Sequence, residues 1–252
     1  MLITISPLTP DDADVVRQVL DVLAPFRGLP LLADLEDVAH RLETRTGAAP
    51  TAGQAPTLHF DTVPDYAGAR WLGPLYEALR AREVIRFAYQ PFGQEARATT
   101  VHPYLLKQYN HRWFLLGQCA DQQRLQTYAL DRIRGERIER LPNAEFWPNT
   151  LLDPATYFNA VIGASVPDGE PQEIRLRFSP TRAPYVRTKP LHLSQQEGAT
   201  TEAGTDITLR VGLNRELESL LLSFGADVEV LAPAELRTEV SQKLREAAAL
   251  YA

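Results

Sequence analysis

The segment from Val84 to Ile138 alternates apolar and polar residues with a period of two, and short turns interrupt the alternation four times. This pattern predicts five short β-strands within fifty-five residues. Because turns of a few residues join the strands, the sheet must be antiparallel and up-and-down. We expect it to close into a small five-stranded barrel of the SH3-like or Sm-like kind, since closure removes exposed edges. The predicted strands are Val84–Tyr89, Ala98–Leu106, Arg112–Cys119, Arg124–Leu130 and Arg132–Ile138.

Residues 1–70 carry two helical patterns, which are too few to form a stable domain alone. Thr9, Pro10 and the acids that follow form a helix start, with a cap residue, an early proline and negative charge near the positive helix end. We expect this part to be a helical linker or dimerisation segment. The predicted helices are Asp11–Leu23 and Leu31–Thr44, then a linker at Gly47–Gln54, then a third helix at Trp71–Arg82.

After a connector at residues 141–170, the pattern becomes strand, helix, strand, strand, helix, strand, which is the order of the ferredoxin-like fold. We therefore expect an α+β protein with N-terminal helices, an Sm-like barrel domain at 71–140 and a ferredoxin-like βαββαβ domain at 171–252. The predicted elements of this last part are a strand at Glu173–Phe178, a helix at Thr181–Arg187, strands near Leu191–Gln196 and at Asp206–Leu213, a helix at Arg215–Phe224, a strand at Asp227–Leu231 and a helix at Ala234–Tyr251.

Charge is unevenly distributed along the chain. The net charge is −6, which argues against nucleic-acid binding by the whole surface. Between Arg80 and Arg140, however, eleven basic residues stand against six acidic ones, so this segment carries +5 and the remainder −11. An anionic ligand is therefore expected on the predicted barrel. The alternative for any single arginine is an ordinary solvent-exposed side chain.

Several classes of protein are excluded by what the sequence lacks. A single cysteine, Cys119, excludes a disulfide framework, and the five histidines show no metal-ligand spacing. There is no signal peptide and no run of 18 apolar residues, which predicts a cytoplasmic protein. No GxSxG, HExxH, P-loop or GxGxxG motif occurs, and Cys119 lies within a predicted strand as a small core residue. We expect no metal, no cofactor and no enzymatic activity.

Three motifs in the barrel segment are more specific than its periodicity: His102–Lys107 (HPYLLK), Asn110–Gly117 (NHRWFLLG) and Tyr128–Ile133 (YALDRI). In order and spacing they resemble a WYL-domain protein, with the Trp-Tyr-Leu signature present as Trp113, Phe114 and Leu115. The resemblance covers about Leu72 to Ile138, and the last eighty residues look like the C-terminal extension that usually follows.

This resemblance implies the ligand-sensing and dimerising region of a bacterial transcriptional regulator. In the family, an Sm-like barrel senses an anionic ligand, often a nucleic acid or nucleotide, and passes the signal to a winged-helix domain that binds promoter DNA. That domain normally precedes this region and is absent here, with Leu2–Leu8 resembling its tail. The chain is then either an isolated effector region, which its abrupt apolar start favours, or a naturally headless member.

The sequence departs from the family pattern at two positions, where Gln90 and Thr99 replace arginines that many members carry. Candidate ligand contacts remain, because arginine can bind phosphate bidentately and tyrosine or histidine can stack on bases. Arg132 could instead pair with Asp131 next to it, and Trp113 and Leu115, which share one side of their strand, are expected to be core first. The candidates are Tyr89, Arg97, His102, Tyr104, Lys107, Arg112, Arg124 and Arg132.

Three functions from different classes remain after these arguments. The first is the sensing and dimerising region of a regulator, with single-stranded DNA, RNA or a nucleotide as its ligand. The second is a stand-alone Sm-like protein that binds RNA or single-stranded DNA. The third is a hydrolase or nuclease, which the sequence supports least because it shows no acid cluster for a metal and no nucleophile–base pair. His102 and His111 flank one predicted hairpin but have no carboxylate partner in a recognisable pairing.

Overall fold

The computed structural model describes residues 9–22, 30–46, 68–167 and 169–252. The tail proposed at Leu2–Leu8 and the linker at Gly47–Gln54 lie outside these residues. Two compact units divide the chain: the first draws on residues 1–106 and 111–147, and the second on residues 107–110 and 148–252. Among the described helices, none has the length and apolar character needed to cross a membrane.

Three helices belong to the first unit: α1 (Pro10–Val22), α2 (Pro30–Thr46) and α3 (Leu72–Ala81), the last preceded by a 3₁₀ turn at Ala69–Trp71. Thr9 and Asp12 explain where α1 begins. The Thr9 backbone N–H donates to Asp12 Oδ2 at 2.7 Å, and the Asp12 N–H donates to Thr9 Oγ1 at 3.4 Å. This reciprocal cap satisfies N–H groups that have no partner within the helix. All three helices lie within two residues of the predicted bounds.

The first unit also contains a five-stranded antiparallel sheet. Its strands pair in the order β4-β3-β2-β1-β5. A 3₁₀ turn at Leu130–Arg132 connects β4 to β5. The strands are β1 (Val84–Tyr89), β2 (Arg97–Tyr109), β3 (Arg112–Cys119), β4 (Arg124–Ala129) and β5 (Ile133–Leu141).

Closure of this sheet into a barrel, which the sequence pattern led us to expect, is not found in the described chain. β4 and β5 form the two edges and do not pair with each other. β5 does pair antiparallel with β1, from Val84↔Leu141 to Tyr89↔Ile133, with a register shift between Arg86 and Ala88. The missing pair is β4–β5, two strands that the 3₁₀ turn at Leu130–Arg132 separates in place of a hairpin. The five strands and their antiparallel pairing are as predicted, but the closed barrel is wrong.

The core of the first unit lies between α3 and the sheet. Leu75 and Ala78 of α3 are fully buried in one cluster with Ile85, Val101 and Leu115 of the sheet. Three aromatic rings complete the core. Tyr128 meets Phe87 and Tyr89 edge to face, with ring centroids 5.6 and 5.1 Å apart, a favoured geometry for aromatic pairs.

The second unit is built on a four-stranded antiparallel sheet in the order β7-β8-β6-β9. Strands and helices follow one another as β6, α4, β7, β8, α5, β9 and α6. Their bounds are β6 (Gln172–Phe178), α4 (Ala183–Thr188), β7 (Gln196–Thr201), β8 (Gly204–Val211), α5 (Arg215–Ser223), β9 (Val228–Ala232) and α6 (Ala234–Ala249).

The strand predicted near residues 191–196 is wrong, since β7 begins only at Gln196. In the turn that precedes β7, side chains accept hydrogen bonds from backbone N–H groups. The Leu191 N–H donates to Gln195 Oε1 at 2.9 Å, and the Ser194 N–H donates to His192 Nδ1 at 3.2 Å. Such local bonds compete with sheet pairing, so the chain turns where the residue pattern predicts a strand.

Helices of the second unit cover one face of its sheet. Ile174, Leu176 and Phe178 of β6 point into a core that also contains Leu217 of α5 and Leu236 of α6. Asn214 caps α5, accepting from the Leu217 N–H at 2.8 Å. The two sheets and six helices of the described chain make this an α+β protein, as predicted.

Candidate nucleic-acid interface

Tyr89 and Arg97 face each other across β1 and β2 at one end of the first sheet. The Tyr89 side chain lies in the core, and its hydroxyl accepts a hydrogen bond from the Ala129 N–H at 3.2 Å. Arg97 is exposed. Burial raises the pKa of the Tyr128 hydroxyl, and the nearby Arg97 charge acts in the opposite direction. Arg97 is therefore available at the surface, whereas Tyr89 serves the core.

His102 and Tyr104 lie on β2, and both contact Trp147. The His102 ring is stacked on the Trp147 indole with centroids 4.2 Å apart and an angle of 11°. Burial lowers the pKa of His102. The Tyr104 hydroxyl lies 2.9 Å from Gln118 Oε1 and 3.1 Å from the Trp147 carbonyl oxygen, and burial raises its pKa. These two candidates bind another part of the chain.

Lys107 falls in the second compact unit. Its ammonium lies 3.2 Å from the centroid of the Phe158 ring, a cation–π contact. Burial lowers the pKa of Lys107, because a charged ammonium loses solvation when it is covered. Lys107 is thus engaged by an aromatic side chain of the second unit.

Arg112 and Arg124 stand at opposite ends of the β3–β4 pair. Arg112 begins β3, and its Nε lies 3.6 Å from Asp131 Oδ1. Arg124 begins β4 opposite Cys119, is exposed, and donates from Nε to Gln122 Oε1 at 2.8 Å. Arg112 therefore lies beside the 3₁₀ turn that contains Asp131, and Arg124 lies at the far end of both strands.

Arg132 is the last residue of that 3₁₀ turn, and its guanidinium carbon lies 4.0 Å from the centroid of the Phe92 ring. Phe92 is 66% exposed in the β1–β2 turn. Arg132 Nε is buried and has no hydrogen-bond partner among the described residues. A buried donor without an acceptor is costly, by about 1–3 kcal/mol, so this group calls for an explanation.

Arg134 is a residue that the sequence arguments missed. Its Nε donates to Gln90 Oε1 at 2.8 Å and its Nη1 donates to the Asp131 carbonyl at 2.8 Å. Gln90 in turn donates its backbone N–H to the Arg132 carbonyl at 3.0 Å. The signal was available, because Arg134 follows Arg132 by two residues in the basic segment.

Three arginines therefore lie at the 3₁₀ turn, and we call them the arginine corner: Arg112, Arg132 and Arg134. Arg97 lies two strand spacings of about 4.8 Å from β5, because Tyr89 pairs with Arg97 on one side and with Ile133 on the other. Its side chain shares the face of Tyr89, whereas Arg134 pairs with Ala88 and points to the opposite face. The corner brings together two of the eight predicted contacts.

The three signature residues Trp113, Phe114 and Leu115 differ in how deeply they are buried. Leu115 is fully buried and stands opposite Tyr128. Trp113 is partly buried and packs against the same core cluster. Phe114, between them, is also partly buried. The side of β3 shared by Trp113 and Leu115 thus faces the core of the first unit.

Comparison with known families gives two matches. Residues 70–138 match the WYL domain, and residues 170–248 match the WCX domain. The chain is a WYL domain-containing protein. Its second domain is of the WCX type, and this domain covers the whole sheet of the second unit. No curated protein matches the chain.

Two solved structures are similar to parts of the chain. Proteasome accessory factor B/C (PafBC) of Arthrobacter aurescens is 23% identical over 69% of this chain and 26% of its own, with a TM-score of 0.32. A CRISPR Cas-related protein is 13% identical over 73% of this chain and 52% of its own, with a TM-score of 0.44. The chain thus spans less than two thirds of either protein.

Proposed function

We propose that this chain is the ligand-sensing and dimerising region of a bacterial transcriptional regulator, and that its WYL domain binds a nucleic acid or nucleotide-like anion. The WYL and WCX matches support this role. In this proposal the chain performs no catalysis, and promoter DNA is contacted by a winged-helix domain elsewhere in the protein.

The observation that carries the proposal is the state of Arg132. Its guanidinium lies against Phe92, and its buried Nε has no acceptor within the described chain. Because Nε itself is covered, a phosphate would bind the remaining guanidinium nitrogens of this half-buried side chain, since arginine binds phosphate through planar, charge-assisted hydrogen bonds. The ring of Phe92, which is largely exposed, offers a surface on which a base could stack.

The other two members of the arginine corner contact Asp131, the residue before Arg132. Arg112 keeps 44% of its side chain exposed beside the Asp131 carboxylate, and Arg134 donates to the Asp131 carbonyl and to Gln90. Together they concentrate positive charge in a chain whose net charge is −6. A polyanion is attracted to such a site, whereas a neutral ligand is not.

We also propose the division into a helical segment at 1–70, a WYL domain at 71–140, a connector at 141–170 and a C-terminal domain at 171–252. For the last domain, the strand order β7-β8-β6-β9 and the succession βαββαβ support the ferredoxin-like fold. For the WYL domain, five strands joined by short turns support an Sm-like sheet that stays open at β4 and β5.

The test is the salt dependence of binding to a short single-stranded oligonucleotide, measured by fluorescence anisotropy. If phosphates are contacted, the logarithm of the affinity should fall linearly with the logarithm of the salt concentration, by about 0.7 per phosphate neutralised. Arg132→Ala should weaken binding and reduce that slope by about 0.7. Arg124→Ala, at the far end of β3 and β4, is the matched control and should leave both unchanged. An affinity that does not vary with salt would overturn the proposal.

Two further expectations follow from the same role. The chain alone should not bind duplex DNA sequence-specifically, because sequence-specific binding needs a positioned reading element and the residues outside the basic segment carry −11. Tight, promoter-specific retardation by this chain would contradict that. The WCX domain should support a homodimer through a self-complementary surface. Light scattering that gives a monomer at micromolar concentrations and above would contradict the dimer.

A further inference from the structure

Trp147, the last residue of the first unit, has both of its backbone polar groups held by side chains of β2. Its N–H donates to His102 Nδ1 at 3.1 Å, and its carbonyl oxygen lies 3.1 Å from the Tyr104 hydroxyl, whose single proton it shares with Gln118 Oε1 at 2.9 Å. Residues 142–147 form no strand or helix, so these bonds replace the pairing that regular structure would provide.

The rings reinforce this attachment. The Trp147 indole lies nearly parallel to the His102 ring at 4.2 Å. Phe146 meets His102 and Tyr104 edge to face, at 5.9 and 6.0 Å. His102 itself is only 3% exposed. Two side chains on one side of β2 therefore hold two consecutive aromatic residues against the sheet.

We propose that His102 and Tyr104 act as a latch on Trp147 and that protonation of His102 opens it. The latch is a conformational device within the first unit and does not depend on the ligand proposed above. It also gives His102 and Tyr104 a different role from the ligand contact that the sequence indicates, since each side chain is already committed to the chain itself.

The chemistry of the imidazole explains the switch. A ring nitrogen that accepts the Trp147 N–H carries no proton, so neutral His102 must hold its proton on Nε2. A second proton can only go to Nδ1. This nitrogen then becomes a donor that faces another donor, and the hydrogen bond is lost. Burial of the ring leaves the new charge poorly solvated, which adds to the cost of the closed state, whereas its cation–π contact with the Trp147 face acts in the opposite direction.

The groups that face His102 contribute no opposing charge. Trp147 and Phe146 of the connector are neutral, Tyr104 on the same strand is a neutral phenol, and Gly117 lies beside the His102 carbonyl on β3. Burial is the cause that lowers the pKa of His102, with no carboxylate or cation among the described residues contributing. In the closed latch the imidazolium therefore meets no carboxylate among the described residues, and only the ring face of Trp147 offers it a cation–π contact.

Nuclear magnetic resonance of the intact chain tests the latch directly. The ¹⁵N shifts of the His102 ring at about pH 8 should be those of the Nε2–H tautomer. Amide hydrogen exchange, corrected for its intrinsic pH dependence, should show that Trp147 loses protection by at least about tenfold between roughly pH 8 and pH 5. The Leu209 amide in β8 serves as the internal control and should keep its protection.

Two variants separate the switch from general acid unfolding. His102→Asn places an amide oxygen where Nδ1 stood and cannot titrate, so Trp147 should stay protected at both pH values. Tyr104→Phe removes the partner of the carbonyl and should lower the protection of Trp147 while leaving its pH dependence. The proposal is overturned by an Nδ1–H tautomer, by equal protection of Trp147 at both pH values, or by the same pH dependence in His102→Asn.

Discussion

The Arg132 guanidinium lies 4.0 Å from the centre of the Phe92 ring. Phe92 belongs to the β1–β2 turn and Arg132 to the 3₁₀ turn before β5, so the contact joins parts of the sequence forty residues apart. The sequence left a pairing with Asp131 as the alternative role of Arg132, and the Asp131 carboxylate lies 3.6 Å from Arg112 Nε. Arg132 is thus positioned by a ring and leaves a buried donor unused.

This contact predicts that lysine cannot replace Arg132. Arg132→Lys keeps the charge but loses the planar fork and its stacking on Phe92. The salt slope of oligonucleotide binding should therefore stay near that of the wild type while the affinity falls by about tenfold, the effect of about 1.4 kcal/mol. Fluorescence anisotropy at several salt concentrations measures both quantities. Affinity equal to that of the wild type would show that Arg132 acts as a charge alone.

The close packing around Gly117 of β3 leads us to expect that any side chain at this position destabilises the fold. A Cβ at this position would lie 2.6 Å from the His102 carbonyl oxygen and 2.5 Å from Val101 Cγ1. Because the carbonyl belongs to the backbone of the neighbouring strand, it cannot move away easily. Gly117→Ala should lower the free energy of unfolding by about 1–3 kcal/mol in urea titrations. Gly198→Ala in β7, where the nearest atom lies at 3.4 Å, is the control and should not destabilise.

The burial of Leu115 leads us to expect that this signature residue contributes strongly to the free energy of unfolding. Its side chain is 0% exposed in the core of the first unit. Leu115→Ala should therefore lower the free energy of unfolding by about 2–5 kcal/mol, through lost burial and the cavity left behind. Leu193→Ala, at a side chain that is 74% exposed, should change it by less than about 0.5 kcal/mol. Equal effects of the two changes would contradict the core assignment.

The ion pair between Asp206 and Arg177 should stabilise the WCX domain in a way that is lost in acid. Its carboxylate receives two hydrogen bonds from Arg177, at 2.7 and 3.1 Å, and these bonds lower its pKa. The stabilisation is present above the ordinary pKa of an aspartate and is lost as the pH falls towards the lowered value. Asp206→Asn should therefore lower the melting temperature at neutral pH and have little effect in strong acid. Glu202→Gln, in the exposed β7–β8 turn, is the control and should leave the melting temperature at neutral pH nearly unchanged.

Local patterns predicted most of the elements. The bounds of β1 and β3 were predicted to the residue, because alternation and flanking turns are properties of neighbouring residues. The strand predicted at 191–196 failed because Gln195 and His192 bond to nearby backbone groups. That competition depends on side-chain geometry, which periodicity does not record.

The sequence by itself determined the α+β class, the antiparallel strands, the WYL motifs and the basic segment that carries the candidate site. Tertiary structure alone decided which basic and aromatic residues meet. Through the fold, Arg134 hydrogen-bonds to Gln90 in the arginine corner, Lys107 lies against Phe158, and the Trp147 N–H donates to His102. The physical reason is that strand patterns are local, whereas these contacts join residues up to 51 positions apart whose approach depends on sheet order and side-chain packing.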